Sequence, residues 1–110
     1  MGVTEVVGLE EFNVVVSGNG VVLVDFYTRW CLPCKMLKPV LEKISNKYDD
    51  LKVVAVDLDI PANQGIGNIY GITAVPTLVL FKNGKEVHRR VGFSSERNLV
   101  AWLDKCLSEI

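Results

Sequence analysis

The chain has 110 residues, 49% of them apolar and 23% charged, with a net charge of −1 at pH 7. That length fits one domain, residues 1–110, with enough apolar side chains for a core. The near-neutral balance, with no basic block, argues against nucleic-acid binding, and no apolar run approaches the roughly 20 residues of a membrane span. Three cysteines are an odd count, against a secreted disulfide framework, and Met1-Gly2-Val3-Thr4-Glu5 lacks the basic-then-apolar start of a secretory leader. A reducing cytoplasm is the expected compartment.

Thr4 to Val7 reads as a short first strand. Leu9, Phe12 and Val16 recur at helical spacing, and Gly18 can end that helix. The β-branched run Val14-Val15-Val16 pulls locally toward strand, but the spacing predicts a helix. Asn19-Gly20 marks a turn. Val21-Val22-Leu23-Val24-Asp25-Phe26-Tyr27 is apolar on both faces, the pattern of a central strand covered on both sides. Asp25 breaks it. An acid there is expected to be buried, which disfavours its charged form and costs stability as pH rises between its unfolded and folded pKa values. Two accounts fit such an acid: a hydrogen bond to nearby backbone at a strand end, or a carboxyl kept for chemistry.

Directly after this strand comes Trp30-Cys31-Leu32-Pro33-Cys34-Lys35, opening a helical pattern that runs to about Tyr48. Cysteines at i and i+3 share a helix face with Cβ atoms roughly 5–6 Å apart, and a disulfide needs about 3.5–4.5 Å, so a small adjustment in the first turn closes or opens the pair. A helix N-terminus carries partial positive charge and unsatisfied N–H groups. The anion that fits there is a thiolate on Cys31. A Cys-X-X-Cys pair by itself suits half a zinc site, a redox pair or chance. Structural zinc asks for four ligands, and the remaining candidates, Cys106 and His88, form no second spaced pair. The strand-to-helix junction is a redox context. Pro33 lies in the first turn, where its missing N–H is harmless, while Pro39 lies inside the helix and should kink it. Met36, Leu37, Val40, Leu41 and Ile44 form its predicted apolar stripe.

Lys52 to Asp57 reads as a second buried strand. The stretch from Asp59 to Tyr70 is weakly coded, with Pro61 at a helix start and Ile66 and Ile69 on one face. Gly71 to Pro76 is a loop and Thr77 to Phe81 a strand. Asn83-Gly84 then predicts a hairpin into Glu86–Val91. Gly92 breaks that strand. Ser94 or Ser95 caps a last helix with the stripe Leu99, Trp102, Leu103, Cys106, Leu107 and Ile110. The order β-α-β-α-β-α-β-β-α implies an α/β fold, a mixed sheet between two helical layers. Cys106 reads as core, Trp102 as core or a partly covered helix face, His88 as solvated beside Arg89-Arg90, and Arg29, Lys35 and Lys38 as surface cations. Trp30, a large aromatic before a reactive pair, reads as contact surface.

From about residue 5 to 108 the chain resembles the thioredoxin family. Val24 to Lys35 looks like its active-site block, and Tyr70-Gly71-Ile72, Val75-Pro76-Thr77-Leu78 and Phe81-Lys82-Asn83-Gly84 look like its later ones. The resemblance implies a thioredoxin fold of about five strands and four helices. It implies a protein-disulfide reductase with no bound cofactor or metal, fed by a separate thioredoxin reductase-type enzyme and acting as a monomer on disulfide-containing target proteins. Cys31 would be the nucleophile and Cys34 the resolving thiol, together the redox-active disulfide. Asp25 would help deprotonate Cys34. Pro76 would be a cis-proline facing the cysteines, Val75 would offer backbone groups to an extended substrate, and Trp30, Leu32, Pro33 and Gly92 would border the docking surface. A thioredoxin-like disulfide oxidant or isomerase, and a thioredoxin-fold interaction module, are the rival readings. Three positions depart from the family pattern. Leu32 stands where most members have Gly, Tyr27 where a Trp is usual, and Ala55 where many bacterial members carry a Lys near the buried acid. Without that cation, Asp25 should hold its proton to higher pH.

Overall fold

The computed structural model describes residues 2–18 and 20–110. Its elements are β1 (Thr4–Glu5), α1 (Leu9–Gly18), β2 (Val21–Tyr27), α2 (Leu32–Lys47), β3 (Leu51–Asp57), α3 (Pro61–Ile69), β4 (Thr77–Lys82), β5 (Lys85–Val91) and α4 (Glu96–Ser108). The strands form one sheet in the order β1-β3-β2-β4-β5. β1, β3 and β2 run parallel, and β4 and β5 add an antiparallel half. This is the expected mixed sheet.

Period-two alternation divides the sheet into two cores. Val22, Val24 and Phe26 of β2 face α1 and α3, where they meet Phe12, Val16 and Ile66. Phe12, Phe26, Tyr70 and Phe81 pack there as tilted and edge-on rings, with centroids 5.2–6.3 Å apart. Leu23 faces the other way, onto Leu37, Leu41 and Ile44 of α2 and Leu99, Leu103 and Cys106 of α4. By the same parity Asp25 and Tyr27 lie on the α2 face, at the end of the strand nearest the start of that helix.

Tertiary packing overrides the β-branched run in α1. Phe12 and Val16 bury one face of the helix, while Val14 stays 68% exposed. The turn expected at Asn19-Gly20 lies partly outside the described residues, at Asn19. Gly20 has φ +69° and its carbonyl accepts from the Asn83 N–H at 2.8 Å. Asn83 and Gly84 both have positive φ, the conformation a tight hairpin needs. α2 runs through Pro39 as one helix. Ser95 is the cap of α4, accepting from the Asn98 N–H at 3.2 Å.

Two expected core positions are corrected. Met36 is 50% exposed, because the buried face of α2 follows Cys34, Leu37, Leu41 and Ile44, and position 36 falls off that line. Ile69 is 60% exposed at the end of α3, while Ile66 is buried with Asn63 and Gly67. The fully buried Asn63 holds that weakly coded region instead. Its side-chain N–H groups donate to the Val6 and Asp57 carbonyls, and its Oδ1 accepts from the Gly8 N–H at 2.8 Å. The strand expected over Thr4–Val7 pairs only at Thr4 and Glu5. At the opposite edge, β5 carries Lys85, Glu86, His88, Arg89 and Arg90.

Candidate active site

Cys31 sits at the end of the loop that leaves β2. It is the N-cap of α2, with extended backbone (φ −84°, ψ 114°), and Pro33 occupies the first turn as expected. Its Sγ accepts a hydrogen bond from the Cys34 N–H at 3.2 Å. A sulfur therefore takes the place that a Ser or Asp oxygen usually fills at a helix start, satisfying one orphan donor in the positive field there. Both thiols are free and buried, with Cys34 the deeper at 3% exposed against 6%. Burial holds the Cys34 thiol well above its ordinary range, and the hydrogen bond with Cys31 adds to the effect.

Across from Cys31 lies the loop before β4. The Cys31 Sγ is 3.8 Å from the Val75 carbonyl, and the Val75–Pro76 peptide bond is cis. The Gly92 N–H donates to the Pro76 carbonyl at 2.8 Å, with Gly92 at φ +96°, which fixes the end of β5 beside this loop. Trp30 (73% exposed) and Leu32 (65%) flank the cysteines, with Met36, Val91 and Phe93 also exposed. The sequence-predicted site residues Trp30, Cys31, Leu32, Pro33 and Cys34 thus share one loop and helix start, and Val75, Pro76 and Gly92 share the loop-to-strand region facing Cys31.

Asp25 lies beneath, 2% exposed, and its Oδ1 has no hydrogen-bond partner among the described residues. Burial raises its pKa from 3.8 to about 7. Glu5 pushes in the same direction, and Lys38 opposes both. The register places Asp25 beside Ala55 on β3 and Leu78 on β4. Tyr27, Cys31, Cys34 and Ala55 form a small cluster of their own, with Val75 against it.

Several contacts had no counterpart in the sequence reading. The Arg29 Nε donates to the buried Asp57 at 2.5 Å, and the Arg29 N–H donates to Asp59 at 3.0 Å, tying the loop before Cys31 to the end of β3. The Tyr27 hydroxyl is 2.9 Å from both Glu5 oxygens, and the Lys38 Nζ stands 4.9 Å above the Tyr27 ring. Tyr27, Thr28, Arg29, Cys34, Lys35 and Lys38 line a cavity of about 130 Å³ that leads in to the second cysteine. Arg29 therefore has a partner of its own, and Lys38 belongs to the surroundings of the site. Cys106 is buried in the α2/α4 core, and His88 lies 3.3 Å from Glu109. Among the described residues no group of three or more His, Cys, Asp or Glu side chains is placed to hold a metal ion, and no helix is long and apolar enough to cross a membrane.

The arrangement offers one capped sulfur near the surface, a second sulfur behind it, and a carboxyl that can hold or release a proton near neutral pH. Those are the parts of a dithiol–disulfide exchange site. A family model described as Thioredoxin matches residues 3–105. The thioredoxin of Chlamydia caviae is 40% identical over 104 residues, 92% of this chain and 96% of that one. That of Staphylococcus epidermidis is 44% identical over 89 residues, covering 81% and 85%. Among solved structures, a mutant thioredoxin from Halobacterium salinarum superposes with a TM-score of 0.86 at 40% identity, over 94% of this chain and 89% of that one.

Proposed function

The chain belongs to the thioredoxin family and is a thiol–disulfide oxidoreductase, and on that footing we propose that Cys31 attacks and Cys34 resolves. The Cys31 thiolate attacks one sulfur of a substrate disulfide. A mixed disulfide forms, and the other substrate sulfur leaves as a thiolate. Cys34 then gives up its proton to Asp25 and attacks the Cys31 Sγ. The substrate sulfur held on Cys31 is released as a thiolate, and the Cys31–Cys34 disulfide remains. Two electrons have passed to the target, and a separate thioredoxin reductase-type enzyme restores the dithiol.

The observation that carries this reading is the inequality of the two sulfurs. Cys31 caps the helix and accepts the Cys34 N–H, whereas Cys34 is the deeper of the two buried thiols, held protonated with the Asp25 carboxyl in the same layer. An attacking thiol needs access and a stabilised thiolate. A resolving thiol needs a base that acts only after the first step. Trp30, Leu32, Pro33 and Gly92 border the docking surface, Val75 offers its backbone to an extended segment of the target, and Pro76 holds that loop in place. The apolar bulk of Leu32 biases the choice of targets and reductase. Residues 1–110 act as one domain, as a cytoplasmic monomer, with disulfide-containing proteins as targets and no bound cofactor.

The test is the Cys31–Cys34 redox equilibrium against dithiothreitol and glutathione buffers. A strongly reducing poise is expected of a reductase. A clearly oxidising one would reassign the protein as a disulfide oxidant or isomerase, with Leu32 the first residue to change.

A further inference from the structure

Tyr27 stands on β2 and its hydrogen-bond partner Glu5 on β1, yet β3 lies between those strands. The phenol must therefore cross β3. The β3 residue registered with both Glu5 and Asp25 is Ala55, whose small side chain leaves room for the ring. On its outer side the same ring carries the Lys38 ammonium at 4.9 Å, a cation–π contact. One nearly buried aromatic thus holds an anion at its hydroxyl and a cation over its face, and the strand position two residues back on the same side is Asp25.

We propose that Glu5 and Lys38 are opposed positioning residues that together set the charge state of Asp25, each held in place by the Tyr27 phenol. On the reading above, in which Asp25 accepts the Cys34 proton, this balance decides how much of the carboxyl stands ready. The groups around Asp25 bear this out element by element. β1 brings Glu5, β2 brings Tyr27, β3 and β4 bring the apolar Ala55 and Leu78, and α2 brings Cys34 and Lys38. Asp57, which also acts on Tyr27, is already paired with Arg29. Glu5 and Lys38 are therefore the acid and the base left to act on Asp25, in opposite directions. Both act on a carboxyl that is itself buried, through the buried Tyr27 ring.

The experiment is a ¹³C-carboxyl NMR titration of Asp25 in the reduced protein, in wild type, Glu5→Gln, Lys38→Met and Lys38→Arg. Both positions are exposed, so the variants fold. In wild type the midpoint should fall at about 7. Glu5→Gln should lower it and Lys38→Met raise it, each by roughly half a unit or more, and Lys38→Arg should restore the wild-type value. Midpoints unmoved in both charge-removing variants, or moved the same way, would overturn the proposal. The rate at which Cys34 resolves a mixed disulfide on Cys31, followed against pH in the same variants, tests the role of Asp25 separately. If the carboxyl midpoints move and the rate profiles do not follow, Glu5 and Lys38 still control Asp25, and its assignment as the base for Cys34 is the part that fails.

Discussion

Replacing Asp25 with Asn removes a titrating group while keeping its volume, and the effect on stability can be worked from the site. In the unfolded chain the carboxyl ionises near 3.8; in the fold it holds its proton to about 7. The folded pKa is the higher one, so the unfolded state sheds the proton first as pH rises. Stability attributable to Asp25 therefore falls between these two values and stays low above them. The full gap corresponds to about 4 kcal/mol, of which less than half is already lost at pH 5. The stability difference between Asp25→Asn and wild type should thus grow in the variant's favour by about 2–3 kcal/mol from pH 5 to pH 7.5, or roughly 10 °C in melting temperature. Whatever fixed cost the amide brings drops out of that comparison. Urea melts of both reduced proteins at pH 5, 6, 7 and 7.5 measure it directly. Parallel stability curves across this range would refute the reasoning, because they would mean that Asp25 ionises no later in the fold than out of it.

Cys34→Ser should accumulate target proteins as mixed disulfides on Cys31, visible as trapped species on denaturing, non-reducing gels of lysate, and Cys31→Ser should trap none. Leu103→Ala, at a fully buried position between α4 and the sheet, should cost about 2–5 kcal/mol in a urea melt. Leu32→Ala changes a 65% exposed side chain; it should leave stability within about 0.5 kcal/mol and raise KM for protein disulfides. Arg29→Ala leaves the buried Asp57 carboxylate with only the Asp59 N–H. It should lower the urea midpoint at pH 7, and added salt should not restore it, since an exposed guanidinium cannot be replaced by bulk ions at a buried oxygen.

Much of this was readable from the chain. The apolar β2 run with one acid in it located Asp25, and Pro33 with two cysteines three apart placed the helix start. Those inferences rest on local periodicity, which a sequence displays directly. What escaped depends on register. Tyr27 meets Glu5 only because β3 slips between their strands and presents Ala55 in that row. Arg29 finds Asp57 because β3 ends beside the loop leaving β2. Neither pairing has a spacing rule that could reveal it. Met36 and Ile69 were misplaced for another reason. Both are apolar and adjacent in angle to a buried stripe, and only the packing of α2 and α3 tells where that stripe ends.

The two borders of the sheet bear on how such a protein behaves at high concentration. A free strand edge is a template for pairing with another chain. Here one border is the two-residue β1, too short to recruit a neighbour, and the other is β5, lined with lysine, glutamate, histidine and arginines. Copies of the chain meeting edge to edge find little to extend and much charge to bring together. Neither border of the sheet therefore offers a second copy a long apolar strand to pair with.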